Sequence, residues 1–211
     1  MAGQAFIDDV TLLCCYGEQI LPYLDAAARL RIEVFRDYPY LYEGTVTYER
    51  EYLEHYVDCP ESIFVCAMDG EKVVGISTAL PLVAADEAFQ KPFLDASEQI
   101  QKIFYLGESV LLSPYRSLGI GHLFFHHREA HAKKLGCDIT TFCSVIRPDD
   151  HPLKPHGYRN NESFWHKRGY QRNGLHAKFD WKEVNEQKET SHQMEFWSRK
   201  MEQFLFTSTL G

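Results

Sequence analysis

Ile103-Phe104-Tyr105-Leu106-Gly107-Glu108-Ser109-Val110-Leu111-Leu112-Ser113-Pro114-Tyr115-Arg116-Ser117-Leu118-Gly119-Ile120-Gly121-His122 is an apolar run that turns on two glycines and enters a pattern with helical spacing. Strand, glycine turn and helix in that order present backbone N–H groups to an anion. The first turn of a helix has N–H groups without intrahelical partners and carries the positive end of the macrodipole. Gly119 and Gly121 let the backbone approach a bulky pyrophosphate, and Arg116 adds a planar set of donors. A Walker loop requires Gly-Lys-Ser/Thr, which the chain lacks. The dinucleotide fingerprint requires a third glycine where Phe124 stands. The plain alternative is that the two glycines serve only the local turn.

Arg116-x-x-Gly119-x-Gly121 after Ser109-Val110-Leu111-Leu112 resembles the acyl-CoA signature of the GCN5-related N-acetyltransferase (GNAT) family. Phe164-Trp165-His166-Lys167-Arg168-Gly169-Tyr170 is similar to that family's last core helix and its Gly-aromatic ending. As an order of elements the likeness covers roughly residues 10 to 200, and only these two segments are motif-specific. The resemblance implies an α/β fold with a mixed, mostly antiparallel central sheet of about seven strands flanked by helices, as one domain over residues 1–211. It implies acetyl-CoA as donor and acetyl transfer to the amine of a small molecule or peptide by direct attack in a ternary complex. Pyrophosphate would sit on Arg116, Ser117, Leu118, Gly119, Ile120, Gly121 and His122. The pantetheine arm would lie against Ser109, Val110, Leu111 and Leu112, with the N–H of Val110 or Leu111 polarising the thioester carbonyl. Asn161, Phe164, Trp165 and Lys167 complete the donor side.

Composition agrees with a folded domain: 211 residues, 45% hydrophobic and 25% charged. The excess of 30 acidic over 22 basic residues, a net −8, argues against a nucleic-acid surface and favours neutral or cationic acceptors. Val73 to Ala85, the longest mostly apolar run, is interrupted by Gly75, Ser77, Thr78 and Pro81 and is too short to span a bilayer. No secretory signal is read before the first strand. The six cysteines show no Cys-x-x-Cys spacing, which suits a reducing cytoplasm.

Periodicity predicts a strand over Val10–Cys15, a helix to about Arg36, a helix capped by Thr47 and running through Tyr56, and a hairpin about Asp69-Gly70. A mixed, helical stretch over Asp86 to Gln101 follows, with Pro92 breaking or starting a helix. Then come a strand over Ile103–Leu112, a helix over Gly119–Leu135 stopped at Gly136, and a strand over Ile139–Ile146. A short helix around Asn161–Arg168 precedes a closing hairpin carrying Ala177, Phe179, Trp181, Met194 and Phe196.

Acyl transfer to an amine needs a neutral nucleophile, an oxyanion stabiliser and an exit for the thiolate. Glu108 interrupts an apolar strand, so its carboxylate could accept the amine proton; equally it could pair with an arginine or cap a buried polar group. Many GNAT members carry the acid a few positions earlier, where Tyr105 stands here. Where the family often carries a tyrosine to protonate the thiolate this chain has Trp165, whose indole is no useful acid. Tyr158, Tyr170 or water would take that role, or CoA leaves as the thiolate. Tyr40, Tyr42 and Glu43, in the link between the first helices, could receive a cationic or aromatic amine or simply pack. The polar, proline-bound stretch Arg147 to Arg159 is read either as a cover for the site or as a solvated connection.

No metal is expected. The spacing places His127 and His131 on the stripe of Ile120, Phe124 and Leu135, and no His-Glu-x-x-His accompanies them. Gly107-Glu108-Ser109-Val110-Leu111 lacks the last glycine of a nucleophile elbow. Cys143 is read as core before acyl carrier. Two rival readings keep the fold without the chemistry: an acyl-CoA-binding module and an interaction domain. The final hairpin and the tail Phe204-Leu205-Phe206 could support a homodimer.

Overall fold

The structure, a computed structural model, describes residues 10–201. Seven strands form one sheet in the order β1-β2-β3-β4-β5-β7-β6, from β1 (Val10–Cys15), β2 (Ile63–Asp69), β3 (Lys72–Pro81), β4 (Ile103–Leu111), β5 (Ile139–Val145), β6 (Gln171–Lys182) and β7 (Glu189–Lys200). Every pairing is antiparallel except β4 with β5. The closing hairpin folds back so that its second strand, β7, inserts beside β5 and leaves β6 at the edge. The expected mixed, mostly antiparallel sheet is present.

Side chains of successive residues point to opposite faces of a strand, and the two faces bury separate clusters. One packs under α1 (Leu24–Phe35), α2 (Val46–Val57) and α3 (Glu87–Asp95), around Leu24, Leu53, Phe93 and Phe196. The other packs under α4 (Ile120–Lys134), with Phe164 and Trp165 of α5 (Glu162–Lys167) against it, around Phe104, Phe124, Phe142 and Trp197.

Three sequence expectations are corrected. Thr45, not Thr47, caps α2, its hydroxyl accepting from the Tyr48 N–H (3.3 Å). On α4 the buried stripe is Ile120, Phe124, Arg128 and Ala132; Leu135 is 39% exposed and His127 lies at the side. The expected stripe was one position off because it was followed through the histidines rather than through Arg128. His127 instead meets Cys14 Sγ through Nδ1 (3.5 Å), and His131 meets the Glu61 carbonyl through Nε2 (2.9 Å). Pro92 sits inside α3 without ending it, and Asp86 caps that helix by accepting from Ala88 N–H (2.9 Å). Phe204, Leu205 and Phe206, the tail part of the dimer expectation, lie outside the described residues.

Candidate active site

β4 and β5 pair only over Ile103–Tyr105 against Ile139–Thr141, although the strands continue to Leu111 and Val145. Beyond Tyr105 the sheet therefore opens at its centre. Leu112 N–H donates to the Val74 carbonyl (3.0 Å), and β4 from Ser109 to Leu111 keeps register with β3. Alternation along an antiparallel ladder then commits the Val110 N–H to β3 as well and turns those of Ser109 and Leu111 toward the opening. Of the two N–H groups expected to face a thioester, that of Val110 is therefore spent on β3 and that of Leu111 points to the opening.

A β-bulge lies at the mouth of this opening. Leu106 pairs with Ala79 and Ser109 with Ser77, so Gly107 and Glu108 together face the single residue Thr78. A side chain at 107 would run into the Tyr56 hydroxyl and Thr78 Oγ1, which makes glycine the residue that fits. The extra residue reverses the alternation of the strand. Glu108 thereby turns to the α1–α2 face and Ser109 to the α4 face.

On the α1–α2 face Glu108 is 6% exposed and its Oε2 lies 2.6 Å from Arg31 Nη1. The same guanidinium binds Glu49, which is fully buried and also accepts from the Tyr42 hydroxyl (2.5 Å). Arg31 further lies over the Tyr52 ring at 4.5 Å. Burial works against its charge, and the carboxylates of Glu108 and then Glu49 reverse that and hold the guanidinium firmly protonated. Glu108 Oε1 is buried without a hydrogen-bond partner. Two carboxylates against one guanidinium leave this cluster with a charge of about −1.

On the α4 face Arg128 is 1% exposed, and its Nη2 donates to Ser109 Oγ (2.8 Å). Its Nη1 donates to the carbonyls of Thr78 (3.1 Å) and Glu108 (3.2 Å), and its Nε to that of Phe124 (3.3 Å). The guanidinium thus clasps the bulge from behind.

β4 leads into the predicted anion turn. Gly119 holds φ +87°, a left-handed conformation that glycine adopts without strain, and caps α4. At Gly121 a Cβ would find only Phe164 Cζ at 3.8 Å, so the first turn is open to a ligand. Arg116 Nε donates to the Leu111 carbonyl (3.1 Å), anchoring an otherwise exposed side chain over the opening.

No family model matches the sequence, and no curated protein matches it. Solved structures match the fold. An aminoglycoside 6′-N-acetyltransferase complexed with coenzyme A aligns with TM-score 0.55 at 16% identity, over 90% of this chain and 98% of its own. A ribosomal-protein-alanine N-acetyltransferase from Brucella melitensis gives 0.58 at 14%, over 90% and 99%. An acetyltransferase of the GNAT family from Streptococcus pneumoniae gives 0.54 at 14%, over 91% and 100%. The chain has the GNAT fold.

Within this GNAT fold the predicted residues fall into three groups. Ser109 to Leu112 lie on β4 and at its end beyond the point where β5 parts from it, Arg116 to Gly121 form the turn and the start of α4 that follow, and His122 and Phe164 pack together, 4.8 Å apart between rings. Glu108, Tyr40, Tyr105 and Tyr158 cluster on the α1–α2 face, where the Tyr40 phenol lies within electrostatic reach of Cys143, Arg31, Tyr158 and Glu108. Burial raises the phenols of Tyr40, Tyr52 and Tyr105, so all three are neutral donors at pH 7. Tyr158 meets Tyr38 edge-on at 4.7 Å.

The remaining candidates are engaged elsewhere. The Tyr42 hydroxyl is taken by Glu49, and Glu43 pairs with Lys182 at the surface (2.8 Å), which lowers its carboxyl. Trp165 packs between Phe142 and Trp197, and Tyr170 is fully buried with its hydroxyl on Thr140 and Glu129, so it reaches no ligand. Asn161 and Lys167 are exposed on α5. Burial pushes the Cys143 thiol up to about 12, and its sulfur lies 3.3 Å from the Tyr105 hydroxyl, which leaves it a poor nucleophile.

The stretch after β5 is tied down rather than slack. Arg147 Nε and Nη2 donate to the carbonyls of Pro39 (2.6 Å) and Tyr40 (3.0 Å), and Nη2 pairs with Glu183 (2.6 Å). Sequence reading missed Arg31, Glu49, Arg128 and this arginine clamp. The signal for the first three was a charge at a core position of a helix: Arg31 follows Ala27 by four, Glu49 precedes Leu53 by four, and Arg128 follows Phe124 by four.

Proposed function

We propose that this protein transfers an acyl group, most simply acetyl, from acetyl-CoA to the amine of a small molecule or peptide by direct attack in a ternary complex. One observation carries the reading. The parallel strands β4 and β5 part beside a bulge that puts a half-paired carboxylate on one face, and β4 leads into a glycine-capped helix start. The residues present suit acetyl-CoA. The first turn of α4 and Arg116 would hold pyrophosphate, and the Ser109 and Leu111 N–H groups would meet the pantetheine arm and thioester carbonyl.

Glu108 would receive a cationic amine on Oε1, in a cluster whose excess negative charge favours it, and take its proton. The amine lone pair then forms the N–C bond while the Leu111 N–H stabilises the oxyanion. Collapse breaks the C–S bond and leaves the electron pair on sulfur, and the nitrogen's remaining extra proton, like the one held by Glu108, passes to solvent to give the neutral amide and the free carboxylate. The six free thiols and the charge of −8 favour a reducing cytoplasm and no nucleic-acid partner. Among the described residues no helix is long and apolar enough to cross a membrane. A second reading, an acyl-CoA-binding module, draws on Trp165 packing where the family often carries a tyrosine; turnover with any amine separates the two.

Thermal shift with acetyl-CoA, CoA, NAD and ATP tests the donor site. A ligand at about a hundred times its Kd adds roughly 2.7 kcal/mol. Acetyl-CoA and CoA alone should raise the midpoint. Gly121→Glu has room to fold yet puts a carboxylate in the first turn of α4, and should abolish that rise; an unchanged rise removes the site assignment. Glu108→Gln should keep the rise and lose turnover, whereas full activity at neutral pH would end its role as base.

A further inference from the structure

Two buried arginines flank the bulge on opposite faces of the sheet, and they differ in charge balance. Arg31 has two carboxylates. Arg128 has four hydrogen bonds, all to neutral oxygens. Among the described residues no carboxylate lies within ion-pairing distance of it: the adjacent Glu129 is taken by Arg168 and Arg199, and Glu108 turns to the other face. Burial pulls the Arg128 guanidinium down to about 10, which still leaves it charged at neutral pH. Tyr170, Glu129 and Glu108 offset burial only in part and from a distance, and a buried cation with no carboxylate in contact is costly unless an anion arrives to complete it.

The path to that cation is Ser109. It is exposed although it lies on a central strand, because β5 has already diverged there. Its Oγ accepts from Arg128, so its own O–H is free to donate outward. We propose that Ser109, positioned and polarised by Arg128, hydrogen-bonds the sulfur of CoA and stabilises it as the departing thiolate. The assignment rests on the acyl-CoA reading above. It supplies a partner for the leaving group in a chain that has tryptophan at position 165, and it requires no proton from serine. The C–S bond breaks, the electron pair stays on sulfur, and the thiolate leaves beside the guanidinium. Residues 108 and 109 then divide the chemistry across the sheet, with the cationic amine on the negative face and the anionic sulfur on the positive one. Ser109 is the catalytic residue and Arg128 the positioning residue.

The test reads the thiol itself. CoA is titrated with pH in complex with the full chain, following thiolate absorbance in the ultraviolet, after thermal shift has established that CoA binds. In the wild-type complex the thiol should titrate about one pH unit or more below free CoA, as expected for an opposite charge nearby. Ser109→Ala should bind CoA at neutral pH yet return the thiol toward its free value, and Ser109→Thr should retain the lowered value. Bound CoA that titrates as free CoA in the wild type, or identically in wild type and Ser109→Ala, overturns the proposal and leaves the donor site standing. Absence of CoA binding overturns both.

Discussion

At the scale of single residues the site is a problem of buried charge. Glu49 is fully buried, and its two oxygens are divided between Arg31 and the Tyr42 hydroxyl. It is too far from solvent to be useful as a surface ion, and its effect is to fix Arg31 beside Glu108. Removing one partner of a buried pair strands the other, so Glu49→Ala should cost about 3 kcal/mol in a denaturant melt. Tyr42→Phe, which removes only a hydrogen bond to a charged acceptor, should cost nearer to about 1.5 kcal/mol. If both variants melt like wild type, the cluster does not hold the fold together. Glu108 itself illustrates what the sequence could and could not say. A carboxylate inside an apolar strand was legible as special, but its partner lay 77 residues away on another element and left only an arginine on an apolar helix stripe as its mark.

At the scale of elements the strand β4, the helix α4 and their glycine turn were legible because composition alone specifies them. The bulge was not, although its mark was present: a glycine inside a strand interior often signals one. Gly107 matters for sterics rather than for φ, since the Tyr56 and Thr78 hydroxyls fill the space a Cβ would need. Gly107→Ala must displace them or straighten the strand. Overpacking of this kind costs about 1–3 kcal/mol. The larger consequence is for register, because losing the extra residue would exchange the faces of Glu108 and Ser109. Gly107→Ala should therefore fold with a lower midpoint and lose turnover far beyond what its stability loss explains. Activity that merely tracks the folded fraction would show that the reversal of faces does not matter. The cap at Thr45 rather than Thr47 is a smaller case: both threonines precede the helical pattern, and only the backbone conformation chooses between them.

Across the whole molecule the sheet's order was legible in outline and its closure was not, because which hairpin strand meets β5 depends on long-range packing that no local pattern encodes. The same is true of His127 and His131, which were legible as packing residues but not as ties between distant elements, and His192 carried no reading at all. His127 joins α4 to β1 at Cys14, His131 joins α4 to the entrance of β2 at the Glu61 carbonyl, and His192 stacks on Trp181 at 3.8 Å beside Arg147 and Glu183. Burial lowers all three imidazoles below the ordinary value of 6.5, helped by His126 at His127, by Lys134 at His131 and by Arg147 at His192, while the Glu61 and Trp181 carbonyls and Glu183 oppose it. The unfolded chain therefore takes up protons at a higher pH than the folded one. Stability from these groups is complete above 6.5 and is lost as the pH falls through the lower folded values. The melting midpoint should fall between about pH 7.5 and about pH 5.5, above the range where carboxylates titrate. His131→Gln, which removes the titrating group and keeps an amide donor for the Glu61 carbonyl, should flatten part of that slope. A midpoint that stays level or rises on acidification would mean that these three rings are protonated as readily in the fold as outside it, and that their contacts do not depend on neutrality.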